Sequence, residues 1–281
     1  MATVSGQVLE PMLVCAACGV ENQTAPDSVC AICADDREWV PRDGQRWVRL
    51  DRLSDEGTRV ELEVLEDGLL ELRCVPPVGI GQHGKLVCGR DGNVLWDPLG
   101  FVDESAVQAV VAHGDVIAIV ASHPHVFGTQ VQWSRLLGGP PVYVNAADAA
   151  WVMRPDPAIQ PWSGTLDLTP SLTVVQVGGH FPGSGVACWR DGASGRGVLL
   201  AGDTISPNPD GRTVGFLRSY PNRIPLSANV VNRMAATLST LDFDRIYGLF
   251  SNDIESDARR SVQHSAARYC AWVSGQYDHL T

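Results

Sequence analysis

Two histidines separated by one residue stand at the end of an apolar run, a position where side chains often do chemistry. The run covers residues 116–121, and His123 and His125 follow it directly after Ser122. In an extended segment, residues two positions apart point to the same side, so both imidazoles can reach one metal ion. Pro124 favours extended conformations of His123 and restricts the pair. The pattern predicts part of a metal site at a strand end.

Two other apolar runs end in groups that complete such a site. His180 follows the run at 172–177, and Asp203 follows the run at 197–201. Three imidazoles and one carboxylate are a suitable ligand set for a single Zn²⁺, Fe²⁺ or Mn²⁺ ion. The aspartate has three open roles: it can bind the metal, accept a proton from a metal-bound water as a catalytic base, or cap a turn.

Half of the eight cysteines form two Cys-x-x-Cys pairs near the N-terminus: Cys15, Cys18, Cys30 and Cys33. Two such pairs can aim four thiolates at one point, which is the set that a structural Zn²⁺ prefers. The segment is too short to bury a core, so metal binding would supply its folding free energy. A redox-active pair and four unrelated buried thiols are the alternatives. The remaining cysteines lie singly among apolar neighbours, which indicates reduced thiols.

The overall charge of the chain disfavours negatively charged binding partners. The chain has 281 residues and a formal net charge of −11, which argues against nucleic acid or an anionic membrane as a main partner. The N-terminus shows no basic segment followed by a long apolar one, and no apolar run reaches the length of a membrane span. We therefore expect a cytoplasmic protein that acts on a small-molecule substrate, either as a monomer or as a homodimer.

The chain divides into a small module and a large domain. We predict a zinc ribbon of rubredoxin-like type with its linker at 1–45 and the main domain at 46–281. Residues 36–57 are polar and predict a linker with a short helix at 46–54. Beyond it, two hairpins come first, and strands then alternate with helices, one of them capped by Ser227. This order predicts an α+β fold with mixed sheets covered by helices.

The order of the motifs resembles one known family. A His-x-His pair, then Gly-His-x-Pro-Gly-Ser at 179–184, then Gly-Asp-Thr at 202–204 are similar to the metallo-β-lactamase superfamily. The likeness covers roughly residues 60–280. It implies a four-layer αββα sandwich with metal at one edge of the two sheets. By position, the three histidines match the family's first metal site, and Asp203 matches the aspartate that bridges two metals in binuclear members.

The sequence also departs from that family in the ligands of the second metal. The family's run His-x-His-x-Asp-His is completed here by Phe127 and Gly128, and no histidine occurs at 246–251, where the family's last one is expected. The resemblance therefore implies a reduced, mononuclear site. Together with its ribbon, the chain is also similar to a bacterial branch of the superfamily that lacks the same ligands, on the blocks 32–36, 79–82 and 218–222.

Three functions are compatible with these features. The first is a hydrolase that uses a metal-activated water on a small ester, lactone, thioester or amide, with Asp203 taking the proton. The second is a non-hydrolytic metal enzyme, such as an oxygenase, lyase or cyclase with one Fe²⁺. The third is a non-catalytic module that binds a partner through its ribbon.

Five residues are candidates for the substrate pocket, and each is equally open to packing or surface roles: His83, Phe127, Arg218, Tyr220 and Phe250. Arg218 would contact an anionic group. Asp97 also ends an apolar run, and the resemblance to the superfamily implies a structural role for it in ordering loops near the metal.

Overall fold

The N-terminal module is a three-stranded sheet with one short helix. The computed structural model describes residues 12–23 and 29–281, so 1–11 and 24–28 of the predicted ribbon lie outside the described residues. The strands β1 (Leu13–Cys15), β2 (Glu21–Asn22) and β3 (Trp47–Arg49) are ordered β2-β1-β3, both outer strands antiparallel to β1. The helix α1 (Ala31–Ala34) carries the second cysteine pair.

The helix predicted at 46–54 is partly wrong. Residues 47–49 form β3, because they pair with β1 and complete the ribbon's sheet, and the helix α2 occupies Leu50–Asp55. The division of the chain at residue 45 stays a prediction.

A seven-stranded sheet forms one half of the main domain. Its order is β10-β9-β8-β7-β6-β5-β4, antiparallel from β4 to β7 and parallel from β7 to β10. The strands are β4 (Arg59–Glu66), β5 (Leu69–Val75), β6 (Gly84–Val87), β7 (Asn93–Trp96), β8 (Val116–Val120), β9 (Val142–Asn145) and β10 (Ile159–Trp162). Both predicted hairpins, β4–β5 and β6–β7, are confirmed.

A six-stranded sheet faces the first, in the order β11-β12-β13-β14-β19-β20. Its strands are β11 (Thr165–Thr169), β12 (Leu172–Gln176), β13 (Gly185–Trp189), β14 (Val198–Leu200), β19 (Arg245–Tyr247) and β20 (Asp253–Ile254). Two short antiparallel strand pairs lie between β14 and β19 in the chain. The first is β15 (Ser206–Pro207) with β16 (Val214–Gly215), and the second is β17 (Leu217–Ser219) with β18 (Ile224–Pro225).

Helices cover the outer faces of the two sheets. They are α3 (Glu104–Val111), α4 (Gln130–Leu136), α6 (Ala228–Ser239) and α7 (Ala258–Val273). The helix α5 (Gly192–Gly195) is a single irregular turn beside the core between the sheets, and 3₁₀ turns lie at 124–126, 146–151 and 278–280. The side chain of Ser227 accepts a hydrogen bond from the Val230 amide, so the predicted N-cap of α6 is confirmed. Among the described residues, none of the helices has both the length and the apolar composition of a membrane span.

Three separate apolar cores show that the domain has four layers. Strand β14 illustrates the arrangement, since Val198 and Leu200 face the core between the sheets, whereas Leu199 faces the core under α6 and α7. This is the alternation expected of a strand buried on both faces. A third core lies between the first sheet and α3, α4 and the ribbon. The predicted αββα sandwich preceded by a small ribbon is therefore confirmed.

The ribbon is attached to the sandwich by a buried polar contact at Glu21. Its amide donates to Gly128 O at 2.9 Å, and its carboxylate accepts from the Val131 amide at 2.6 Å and from Arg154 Nη1 at 2.7 Å. Glu21 and Arg154 are 3% and 4% exposed. A charge this deep is tolerated only when it is paired, so the contact fixes how the ribbon sits on the sandwich.

Replacing Arg154 with methionine should lower the free energy of unfolding by about 3–5 kcal/mol, because it leaves a buried carboxylate without its cationic partner. Urea unfolding measures this. Arg52→Met is the matched control, since the ion pair of Arg52 with Asp55 is exposed and 3.9 Å long, and its loss should cost about 0–1 kcal/mol. Equal losses in the two variants would contradict a role for the buried pair.

Candidate metal centre

Four strand ends meet at one edge of the sandwich. Strands β7 and β8 run parallel, so Asp97, after β7, and His123, after β8, emerge on the same side of the first sheet. In the facing sheet β12 and β14 are both antiparallel to β13, so His180 and Asp203 follow strands that end at the same edge. Chain topology thus brings together residues that are far apart in the chain, such as His123 and Asp203, which are 80 positions apart.

The predicted ligands lie close enough to surround one ion. The distance from His180 Nε2 to His125 Nδ1 is 3.3 Å, and that from His123 Nε2 to Asp203 Oδ2 is 3.6 Å. All four potential ligand atoms lie within 4.8 Å of one another. With bonds of about 2.0–2.2 Å, ligand atoms around a single ion stand roughly 3–4 Å apart. The structure therefore brings the four residues together, and their role as ligands stays a prediction.

Neighbouring groups orient the histidine rings. His180 Nδ1 is 3.3 Å from Leu217 O, and since a carbonyl can only accept, Nδ1 carries the proton and Nε2 keeps a free lone pair. Ser122 Oγ lies 2.9 Å from His123 Nδ1, and the Ser122 amide donates to Asp97 Oδ1 at 2.6 Å. These contacts support the structural role that we predict for Asp97.

The turn that carries Asp203 requires a glycine beside it. Gly202 has a φ of +52°, and a Cβ placed on it would lie 2.2 Å from Ser122 Oγ. A side chain there would push apart the turns that bear Asp203 and His123.

Burial sets the charge state of the cluster. The three histidines are each 1% exposed, and this burial lowers the pKa of His123 and His125 well below the usual range and that of His180 to about 3. Burial also raises the pKa of Asp203 to about 7, with the charges of Asp97 and Glu38 adding to the effect. Neutral imidazoles with free lone pairs, next to the buried carboxylates of Asp203 and Glu38, are suited to binding a metal ion.

A divalent metal ion fits this site. His123 Nε2 is buried and has no hydrogen-bond partner among the residues that the structure describes, although the Asp203 carboxylate is 3.6 Å away. A divalent cation would use its lone pair and neutralise the carboxylates. The donor set suits Zn²⁺, Fe²⁺ or Mn²⁺ and does not distinguish among them.

Sequence reasoning missed one acidic residue of this cluster. Glu38, which follows the ribbon in the predicted linker, has its Oε1 atom 3.2 Å from His125 Nδ1. Its side chain is 7% exposed, and burial, together with Asp35, raises its pKa to about 7. No residue spacing in a polar segment could have predicted this contact, because the docking of the ribbon brings Glu38 to the site.

The residues Asp35–Glu38, which we call the docking segment, bind to the loop that bears two of the predicted pocket residues. Arg218 pairs with Asp36 at 2.7 Å, and with Arg37 it lines a groove of about 670 Å³ beside His180. The Tyr220 ring lies 5.8 Å from the His180 ring, and its hydroxyl donates to Gly215 O. Both residues thus lie beside the site, and their contact with a substrate stays a prediction.

The other three pocket candidates lie differently. Phe127 is 2% exposed and packs in the core between the first sheet and the ribbon. In this position it is a packing residue. His83 lies 3.0 Å from the carboxylate of Glu71, and its ring is 6.5 Å from that of Phe250. Phe250 is 40% exposed.

The four N-terminal cysteines form a second group able to bind a metal. Their Sγ atoms all lie within 4.8 Å of one another, with 3.6 Å between Cys15 and Cys33 and 3.8 Å between Cys18 and Cys30. Gln45 links the two cysteine pairs, because its side chain donates a hydrogen bond to Cys15 Sγ and accepts one from the Cys30 amide. The scattered cysteines Cys74, Cys88, Cys188 and Cys270 are free thiols.

Comparison with known proteins identifies the family. The model of the metallo-beta-lactamase superfamily matches residues 86–248, which is more than half of the chain. The uncharacterized protein YmaE of Bacillus subtilis (strain 168) is 38% identical over 273 residues, 96% of this chain and 99% of that protein. The chain therefore belongs to the metallo-β-lactamase superfamily.

Solved structures agree with this fold at low sequence identity. VMB-1 is 14% identical with a TM-score of 0.57, covering 76% of this chain and 98% of its own. The metallo-beta-lactamase DIM-1 is 11% identical with a TM-score of 0.56, covering 75% and 98%. The Flv1 flavodiiron core from Synechocystis sp. PCC6803 is 13% identical with a TM-score of 0.54, and the match covers 76% of this chain but only 61% of that core. The superfamily thus includes metal-dependent hydrolases and flavodiiron proteins.

The positions expected to bind a second metal are occupied by packing contacts. Gly128 has a φ of +52°, and a Cβ there would lie 2.3 Å from Pro98 O, so a histidine cannot be accommodated without moving the backbone. Its carbonyl also accepts the hydrogen bond from Glu21 in the ribbon. The two positions are therefore taken up by packing and by the docking of the ribbon.

We expect purified protein to carry two metal ions per chain, one in each group. His180→Ala should lose the ion at the histidines and keep the other, because the cysteines do not depend on that ring. Cys33→Ser should lose the ribbon ion. Elemental analysis per mole of chain measures both, with the exposed His264→Ala as control. Loss of neither ion in His180→Ala would show that these histidines do not bind metal.

Proposed function

We propose that this protein is a mononuclear metal-dependent hydrolase of a small ester, lactone, thioester or amide. The main support is the cluster of three histidines and one aspartate, whose potential ligand atoms lie within 4.8 Å of one another. The second-site positions hold Phe127 and Gly128, neither of which can bind a metal. A single ion gives less help to a charged leaving group, so we favour acyl substrates over phosphodiesters.

We further propose Zn²⁺ for the cysteines, whose four thiols are its usual structural ligands, and Zn²⁺, Fe²⁺ or Mn²⁺ for the histidines. Bound at the histidines, such an ion would lower the pKa of a coordinated water to about 7 and polarise a carbonyl oxygen. Other residues of the chain orient the histidine side chains. Leu217 fixes the tautomer of His180, and Asp97 holds the turn that precedes His123 through the Ser122 amide.

Asp203 is the residue to which we assign proton transfer. Its Oδ2 atom faces His123, which leaves Oδ1 to accept a proton from the attacking water and return it to the leaving group. At 8% exposure it is the most accessible of the four residues, so we place the entry of the substrate on its side.

A panel of ester, lactone and thioester substrates tests the proposal. We expect turnover by metal-loaded protein, and a loss of kcat/KM of about 10²-fold or more in Asp203→Asn, the range for removing a general base. His180→Ala should be inactive for lack of metal, and the exposed His264→Ala should match the wild type. Metal-loaded protein that hydrolyses none of the panel, or wild-type activity in Asp203→Asn and His180→Ala, would refute the assignment.

The identity of the metal separates this function from the non-hydrolytic alternative. Protein purified without oxygen that holds iron at the histidines and consumes O₂, without hydrolysing esters, would favour an oxygenase. Hydrolysis with zinc at that site would favour the proposal.

A further inference from the structure

Glu38 is a buried carboxylate with one polar contact at the metal site. Its Oε1 atom lies 3.2 Å from His125 Nδ1, which is the same atom that faces His180 Nε2 across the centre at 3.3 Å. Among the described residues, its side chain has no other hydrogen-bond or ion-pair partner. The contact therefore joins a carboxylate from the ribbon side to an atom that belongs to the predicted ligand set.

The backbone around Glu38 is held in place from both sides. Asn222 Nδ2 donates to Glu38 O at 2.8 Å, and Ser219 Oγ donates to Arg37 O at 2.7 Å. Arg37 Nε in turn donates to the backbone carbonyl of His180 at 2.8 Å, and its guanidinium lies 4.1 Å from the centre of the Phe181 ring. The position of Glu38 is thus built by contacts to the same loops that carry and flank His180.

Metal binding removes the partner of Glu38. If His125 Nδ1 gave its lone pair to an ion, that nitrogen would no longer be available to Glu38, whose side chain has no other polar contact among the described residues. A carboxylate that is 8% exposed cannot turn to solvent without undoing the docking segment, and an unpaired buried charge is costly. An ion held by His125 would then be the cation available to this carboxylate.

We propose that Glu38 is a fifth protein donor to the metal at the histidines, so that the ribbon-side segment is part of the metal centre. The inference rests on the metal site of the proposed function, but it does not depend on the reaction. It adds a ligand from outside the sandwich, on the face that the ribbon covers. In addition to packing against the sandwich, the ribbon-side segment then supplies an anionic ligand to the ion.

Titration with Co²⁺ tests this role. Full-length protein is treated with a mild chelator that empties the histidine site, elemental analysis checks that the cysteine ion remains, and Co²⁺ is then added back. The affinity is measured by competition with a chelator, and the visible absorption of the bound Co²⁺ reports the number of donors. The variants are Glu38→Gln, nearly the same in shape, and Glu38→Asp, which keeps the charge on a shorter chain. Glu63→Gln is the control, because Glu63 is exposed on β4.

Glu38→Gln should bind Co²⁺ about 10–100-fold more weakly, which is the loss typical of a group that supports a metal site, with a changed visible spectrum. Glu38→Asp should fall between it and the wild type, and Glu63→Gln should match the wild type. Unchanged affinity and spectrum in Glu38→Gln would overturn the proposal. If that variant loses its cysteine ion, the same outcome in Glu38→Asp overturns it. Wild-type protein that binds no Co²⁺ at the histidines would refute the proposed function as well, so the two failures are distinguishable.

Discussion

The structure depends on the burial of acidic and imidazole side chains at one edge of the sandwich. His123, His125 and His180 are almost fully buried, and Asp203, Asp97 and Glu38 lie among or beside them. Burial makes the imidazoles neutral and makes the carboxylates costly to ionise. One divalent cation satisfies both requirements, because it takes lone pairs from the rings and compensates the negative charge. This edge of the sandwich is therefore suited to binding a divalent ion rather than to apolar packing.

The ribbon is part of this organisation rather than an independent appendage. Its apolar residues share a core with the outer face of the first sheet. Glu21 reaches Gly128 and Arg154 of the sandwich, and the docking segment reaches the loops around His180. Only Ala34 separates Cys33 from that segment, so the cysteine group lies close in the chain to the residues that approach the histidines. The ribbon and the histidine cluster are thus connected through a short stretch of backbone.

The same docking gives a physical reason for the reduced metal site. The family's second ion would need side chains at 127 and 128 and near 250. In this chain Phe127 packs in the core, and Gly128 lies against Pro98 O and accepts a hydrogen bond from the ribbon. The contacts at these two positions help to seat the ribbon. A binuclear reaction known from another member of the superfamily therefore cannot be transferred to this chain.

The sequence by itself determined the local features. The two Cys-x-x-Cys pairs, the histidines at strand ends, both hairpins and the N-cap at Ser227 follow from short-range patterns of apolar and polar residues, and the motif order indicated the family. The edge strands β10 and β11 were missed, because Pro161 and partly exposed polar residues obscure their alternation. The position of Glu38 beside His125 and the packing of Phe127 are set only by the tertiary structure. Both depend on where the ribbon docks, and docking is set by contacts between residues that are far apart in the chain, such as Glu21 with Arg154.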